Sequence, residues 1–518
     1  MRYTKAIVIN PPNPPGYSSN KDSMGGFGQL YSEKSPAFPP LDLPYLLAYL
    51  LERGLTAEVI EAGALRLTSA EVVARTAALG AEQRLLLLVR TSLPTIDWDL
   101  GVCRELRGAL QQGGAIALIG PAVPSLLRRV REDSSIDFAV LGEPDGPVAE
   151  LMQGRDPAQI PGLMYRQEDR WQTTPERPFE RDLDRLPFPR WDLMPIDRYI
   201  IPKSSTAGHA RFLPMLSSRG CPFGCSYCPY PVGQGLKWRY RSPANVVDEM
   251  EHLVRHYGVE YILFRDPMFS AQQKRVVAIC EEIVRRGLKV KWKCETRVDC
   301  LDEETIAAMA RAGCAGVNFG VESIDPEIQK GVHRKPILEK DFVEVIASCR
   351  RHGIATFAFF VVGLPGDTLD TILDSIEFAV KIRANWTQFT VATPFIGTSM
   401  YDWAVNQGFL APDAYRIINA HDASVGNENL TPTDIKRLHR FAQILQNHVI
   451  NRHGILKNEL RGDLPYRLVK GIADVASHVA AATLMTVGRR YFRRTVKQLP
   501  AKPRLRLEPS RPVATGTN

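Results

Sequence analysis

Three cysteines within one short run constrain this chain more than any other feature of its sequence. They lie in Arg219-Gly220-Cys221-Pro222-Phe223-Gly224-Cys225-Ser226-Tyr227-Cys228, at spacings of four and three residues. Thiols so spaced converge on one inorganic centre only if the backbone wraps around it, and Gly220, Pro222 and Gly224 permit that wrapping. A structural zinc takes four protein ligands in a tetrahedron, and no fourth cysteine or histidine follows closely. Three thiolates suit a [4Fe-4S] cluster with one iron left open. The plain alternative is three cysteines packed in a loop.

The chain around this run has 518 residues, which at roughly 150 per domain suggests about three domains. Its 44% hydrophobic and 24% charged residues exclude wholesale disorder. Nine cysteines is an odd number, and the opening MRYTKAIVINPP lacks an apolar core and a cleavage site. A disulfide framework is therefore not expected, and the sequence points to a cytoplasmic chain. Over residues 1–154, apolar runs such as Ala6–Ile9, Leu85–Val89 and Ala115–Ile119 alternate with helical patterns, the signature of a parallel, doubly wound Rossmann-like sheet. Ligands of such sheets sit beyond the carboxyl ends of the strands, where Asn10, Thr91, Ser92, Gly120, Gly142 and Glu143 fall. Residues 155–205 lack periodicity and read as a linker. From 206 to 410 six strand–helix units resume, with Cys221 following the first strand, and a partial (β/α)6 barrel with its site at the C-terminal rim is expected. Residues 411–488 form a helical C-terminal region.

Charge is concentrated at the end. Beyond residue 488 nine basic residues, among them Lys497, Lys502, Arg504, Arg506 and Arg511, face Glu508 alone, and this tail accounts for the whole net charge of +8. The body is therefore no nucleic-acid binder by charge. Leu468, Ile472, Val475, Val479 and Val487 recur near helical spacing before the tail, too polar and short for a membrane span. Two readings stay open: a helix at the membrane interface, peripheral at the inner face, or a helix closing the barrel followed by a solvated tail of residues 489–518.

The cysteine run resembles the CxxxCxΦC loop of radical S-adenosylmethionine (radical SAM) enzymes, with Tyr227 as the aromatic residue. The resemblance implies that Cys221, Cys225 and Cys228 hold a [4Fe-4S] cluster whose open iron chelates AdoMet, and that a reductant such as flavodoxin or ferredoxin supplies the electron. Other rim positions match by location. Phe264-Arg265-Asp266-Pro267 stands where many members carry Gly-Gly-Glu for the AdoMet amine; the departure leaves Asp266 or backbone carbonyls for that role. Glu295 and Arg297 offer partners for AdoMet's ammonium and carboxylate, or an ordinary rim salt bridge. Glu322 and Ser323 resemble the segment that holds ribose hydroxyls, and Gly363 and Pro365 lie in the turn placed beside adenine.

The first domain is similar to the cobalamin-binding domain of one radical SAM subclass. All ten histidines lie between His209 and His478, so its own loops supply no imidazole to cobalt; a residue near Thr91–Asp97, water or nothing would stand there. The alternative is a relict domain that binds no corrinoid. A methylthiotransferase is excluded, because Cys103 alone precedes Cys221. The resemblance implies an enzyme methylating an unactivated carbon of a lipid, tetrapyrrole or natural product. Two alternatives are a non-methylating cyclase or rearrangement enzyme and a cluster- and corrinoid-binding sensor without turnover.

Overall fold

The computed structural model describes residues 2–79, 84–110, 113–199, 211–410, 425–447, 451, 464–496 and 507–510, with side chains from 480 onward in the 464–496 segment. The first sheet begins with β1 (Lys5–Asn10); a ribbon of β2 (Tyr17–Asn20) and β3 (Gln29–Ser32) stands outside it. It continues with β4 (Ala57–Glu61), β5 (Leu85–Arg90), β6 (Ala115–Ile119) and β7 (Phe138–Val140), all parallel, and ends with β8 (Leu163–Gln167) and β9 (Arg170–Thr173), both added antiparallel. The strand order is β4-β1-β5-β6-β7-β8-β9. Its central strands read as unbroken apolar runs because both faces are covered. Leu86 and Leu88 of β5 join the core shared with the second sheet, whereas Leu87 and Val89 join the core on the opposite face.

The second sheet takes β10 (Phe212–Met215), β13 (Tyr261–Phe264), β14 (Lys291–Thr296), β15 (Cys314–Glu322), β16 (Ala355–Val362) and β17 (Trp386–Val391) in sequential order, all parallel. Between its first two strands lies a short ribbon, β11 (Ser218–Arg219) with β12 (Arg239–Tyr240). This is the expected partial barrel, with β10 and β17 as its edges. Four helices matter below: α1 (Tyr230–Gln234), α2 (Leu369–Ile382), α3 (Pro432–Leu445) and α4 (Leu464–Thr495).

Two sequence expectations need correction. The segment from 155 to 205 is not wholly linker, because β8 and β9 extend the first sheet. Their turn places Glu168 at φ +47° and Asp169 at +60°, the two positive φ values of a tight hairpin turn, supplied without the glycine or asparagine that would have announced it. The boundary at 488 also fails. α4 runs on to Thr495, with Phe492 buried against Phe441 at 5.5 Å between ring centroids. Arg489 pairs with Asp374 (2.6 Å) and Glu377 (2.7 Å), and Arg493 with Asp370 (3.2 Å), on α2. Further on, residues 507–510 dock beside the cysteine loop. Lys497, Lys502, Arg504, Arg506 and Arg511, together with the side chains of Leu468, Ile472, Val475 and Val479, lie outside the described residues. Among the described residues no helix is long and apolar enough to cross a membrane.

Candidate active site

The cysteine loop leaves β10 through Ser217 and Ser218 and is bracketed by the β11–β12 ribbon. Gly220 at its entrance has φ +82°, and a Cβ there would run into the Lys237 carbonyl; only glycine fits. The Cys221 amide donates to the Gly235 carbonyl (3.2 Å) and the Cys228 amide to the Cys225 carbonyl (3.0 Å). The middle of the loop is tied to three remote segments. The Ser226 amide donates to the Val332 carbonyl (3.0 Å), and the Ser226 carbonyl accepts from the Met400 amide (3.0 Å) and from the Ser510 hydroxyl (2.9 Å). Burial and the neighbouring thiols push two of them up, Cys221 to about 12 and Cys228 well above the ordinary value. Three thiols so placed become thiolates when a cationic centre lies between them, and that donor chemistry fits an iron–sulfur cluster. Among the described residues no three His, Cys, Asp or Glu side chains converge on a single-ion site.

Asp266 does not face the open rim. Its carboxylate accepts from the Ser217 amide (3.1 Å), the Ser217 hydroxyl (2.7 Å) and the Ser218 hydroxyl (2.6 Å), all buried. It fixes the start of the cysteine loop, so the expectation of an amine ligand is not met. Glu295 and Arg297 are likewise parted. Glu295 pairs with Arg265 at 2.6 Å, whereas Arg297 lies past the end of β14 with its guanidinium 4.5 Å over the Phe223 ring, inside the cysteine loop.

Beside the thiols lies a polar cluster. β15 ends in a bulge that sets Glu322 at φ +66°, a left-handed conformation that costs of order 1 kcal/mol in a non-glycine residue and gathers at functional sites. Its carboxylate reaches the Tyr227 hydroxyl and stands 4.0 Å from Arg334. Burial raises the Glu322 carboxyl and the Tyr227 phenol alike. Arg334 donates to the Gly320 carbonyl and, at 3.5 Å, to Tyr227 Oη. Arg297 holds Asp299 with two bonds (2.8 and 3.0 Å) and the Lys335 carbonyl (3.1 Å). Yet Arg297 Nη1, Arg334 Nε and Asn318 Oδ1 are buried with no hydrogen-bond partner. Buried polar groups are rarely left so unless a water, an ion or a ligand meets them. Ser323, fully buried, accepts from the Asp325 amide (3.3 Å) and caps the following turn.

The turn after β16 is held rigid. Asp367 accepts from the amides of Gly363 (3.0 Å) and Leu364 (2.9 Å), and burial pushes its carboxyl up to about 7. Asn427 donates to the Leu364 carbonyl (2.9 Å), and Glu428 accepts from the Gly366 amide (3.0 Å). Pro365 is buried within this turn. In the lumen Lys293 lies 3.2 Å over the Phe357 ring, and burial lowers its amine to about 7.

The carboxyl ends of the first sheet face this barrel rim across an open cleft of about 840 Å³, lined by Gly25, Gly26, Pro121, Gly142, Arg219 and Tyr230 among others. Gly142 has φ +128° and nothing within 4 Å of a Cβ position, so bare backbone meets the cleft. Gly120 also lines it. Glu143 binds Arg219 (3.0 Å) and Arg239 (2.9 Å), tying the first domain to the cysteine-loop ribbon. Burial raises its carboxyl, and the two guanidinium groups more than reverse this, leaving it below the ordinary value. Asn10 donates to Glu61, while its Oδ1 is buried without a partner. Thr91 and Ser92 are occupied internally: Thr91 donates to Asp99 (2.8 Å), which also holds the buried Lys21, and Ser92 meets the Thr95 hydroxyl (2.9 Å). Neither hydroxyl is free for cobalt.

Residues 215–379 match the family model of the Radical SAM superfamily, a span that runs from the end of β10 through the cysteine loop, Glu322 and Gly363. This span of the chain belongs to the radical SAM superfamily. An uncharacterized methyltransferase of Pyrococcus horikoshii is 27% identical over 478 residues, covering 89% of this chain and 98% of that one. The anaerobic magnesium-protoporphyrin IX monomethyl ester cyclase of Rubrivivax gelatinosus is 29% identical over 384 residues, or 68% of this chain and 64% of the cyclase. The structure of the cobalamin-dependent S-adenosylmethionine radical enzyme OxsB superposes with a TM-score of 0.68 at 12% identity, covering 95% of this chain and 75% of that one. It confirms the two-domain fold.

Within a radical SAM barrel Arg334, Asn427 and Glu428 are the residues that sequence reasoning missed. Arg334 reaches the site from a loop after the helix Pro326–Gly331, and its one signal was the basic run His333-Arg334-Lys335 just beyond Glu322. Asn427 and Glu428 come from outside the strand–helix repeat and carry no signal.

Proposed function

We propose that this chain is a cobalamin-dependent radical SAM methyltransferase acting on a carbon of a small-molecule substrate. The observation that carries the reading is the cleft: the carboxyl ends of two parallel sheets, one bearing Gly120 and Gly142, the other the cysteine loop, face each other across a space lined by both. That arrangement suits two cofactors with a substrate between them, because transfer depends on near-contact geometry. The similarity to a methyltransferase along nearly its whole length supports the same reading.

The cluster and AdoMet supply a carbon-centred radical when bound, and a corrinoid supplies the methyl group. The chain's own residues place them. Cys221, Cys225 and Cys228 would hold three irons. The partnerless nitrogens of Arg297 and Arg334 suit a carboxylate, Glu322 and Tyr227 suit ribose hydroxyls, and Gly363 with Pro365 offers a flat, rigid wall for adenine. Asn10, Gly120 and Gly142 would line the corrinoid side. Lys293 and Phe357 wall the lumen and would help to keep water from the reacting centre.

The similarity to a cyclase favours a second reading, radical chemistry without methyl transfer. Anaerobic reconstitution with AdoMet, reductant and cobalamin, followed by mass analysis, separates the two. S-adenosylhomocysteine together with 5′-deoxyadenosine supports methyl transfer. 5′-Deoxyadenosine alone supports the second reading, and intact AdoMet overturns both.

A further inference from the structure

Outside the lining of the cleft, α3 and α4 lie side by side and present one outer face. Gly488 of α4 packs directly on the Phe441 ring of α3, which brings the helices close and aligns their exposed rows. Four large apolar side chains stand on this face: Val487 is 58% exposed, Tyr491 53%, Ile444 51% and Leu484 38%. Leu484, Val487 and Tyr491 are spaced as one stripe of a helix, and Ile444 continues it across Phe441 on α3. Arg437, Arg440, Val487 and Tyr491 border a shallow depression there.

The charge of this face is of one sign. Arg437 and Arg440 flank the apolar stripe on α3, and Arg490 and Arg494, both exposed, flank it on α4. Residues 480–496 contain no acidic side chain, and the single one in 432–447, Asp434, is buried at its helix N-terminus, where its carboxylate accepts from the hydroxyl of the capping Thr431. The arginines one position away behave differently. Arg489 and Arg493 turn sideways to Asp370, Asp374 and Glu377 on α2, in ion pairs on the surface, so the fold separates this ion-paired arginine row from the row that borders the apolar centre.

From this we infer that the α3–α4 face docks on an anionic lipid bilayer, with Leu484, Val487, Tyr491 and Ile444 entering the headgroup boundary and the four arginines meeting lipid phosphates. An apolar stripe with a cationic rim has the chemistry of an interfacial helix pair. A nucleic acid would find no reason for the apolar centre, and a second copy of this chain would bring four arginines against four. None of the residues on this face lines the cleft between the sheets, and the docking stands whatever reaction the cleft performs.

The test uses the full chain and vesicles of phosphatidylglycerol and phosphatidylcholine in equal parts, with pure phosphatidylcholine as the comparison. The protein should sediment with the anionic vesicles, far less with the neutral ones, and progressively less as salt shortens the reach of the charges. Arg490→Gln with Arg494→Gln should lower the partition coefficient about 30-fold, roughly fivefold for each charge near the surface. Val487→Asp should abolish sedimentation, whereas Val487→Leu should retain it. Should circular dichroism show Val487→Asp to lose helix, the double arginine variant, altered only at exposed positions, decides alone. Wild-type protein that stays in solution with both vesicles, or sediments equally with both, overturns the inference. So does a lipid-free dimer that Val487→Asp dissociates, which would assign the face to a second copy.

Discussion

Glu143→Gln tests whether the first domain helps to build the cysteine loop. Glu143 sits between Arg219 and Arg239, the two residues that pair β11 with β12 around that loop. Removing one partner of a buried ion pair costs about 3–5 kcal/mol, since it strands the remaining charge. Two features reduce that figure. The amide oxygen still accepts one bond, and Asp145 remains 3.9 Å from Arg219, its own carboxyl pushed up to about 6 by burial and free to ionise more readily once the neighbouring charge is gone. A loss of about 2 kcal/mol is expected, which raises a local opening constant roughly 30-fold. Hydrogen exchange followed by mass spectrometry should show this acceleration in the peptide around β11 and β12 and not in β5. Glu58→Gln, which breaks the surface pair with Lys5, should leave exchange there unchanged. Because Glu143 is held below the ordinary carboxyl value when folded, its contribution is complete above about pH 4.3 and fades as pH falls through the lowered value, so wild type and variant should converge in acid. Unchanged exchange in the ribbon, or acceleration spread evenly over the chain, would refute the reasoning.

Arg334→Ala should weaken AdoMet binding to the reconstituted protein by about 10- to 100-fold, the worth of a charge-assisted hydrogen bond in a buried site; Arg334→Lys should not restore it, because a lysine cannot reach the Gly320 carbonyl and Tyr227 together, and calorimetric titration reads both. Ser510→Ala removes the bond to the Ser226 carbonyl, about 1 kcal/mol, and should make Cys225 in the apoprotein about five times more reactive toward a thiol-alkylating reagent. Asp367, with its carboxyl raised when folded, binds its proton more tightly in the folded chain, so wild-type stability should fall as pH rises from about 4 to 7. Asp367→Asn should flatten that slope in urea titrations at a series of pH values.

Much of the fold was legible because its signals are local. Leu85–Val89 is apolar at every position, as only a strand covered on both faces requires, and the alternation of such runs with amphipathic helices dictated both sheets. The cysteine loop declared itself by spacing alone. What stayed hidden depends on orientation. Asp266 sits at a strand end, where sequence position marks the rim, but two serines before the loop turn its carboxylate inward. Glu295 and Arg297 share a parity that suggests a shared face, yet the strand stops at Thr296 and their side chains part. The tail after residue 488 read as either a membrane contact or a solvated end because its composition is basic, and composition is silent on Phe492 and Ser510, which are buried.

These hidden contacts bear on what part of the chain can work alone. The cysteine loop rests on Asp266 and Val332 within the barrel, but also on Ser510 from the C-terminal end, and its flanking ribbon on Glu143 from the first domain. None of the outer two lies within residues 206–410, the span that contains every cysteine of the motif. A barrel excised at those limits keeps the sulfur donors and loses the restraints that fix the loop carrying them. An open iron can present AdoMet to a substrate in one orientation only if that loop holds still. The first domain and the chain end therefore belong to the cluster site as structural members, whatever else they bind.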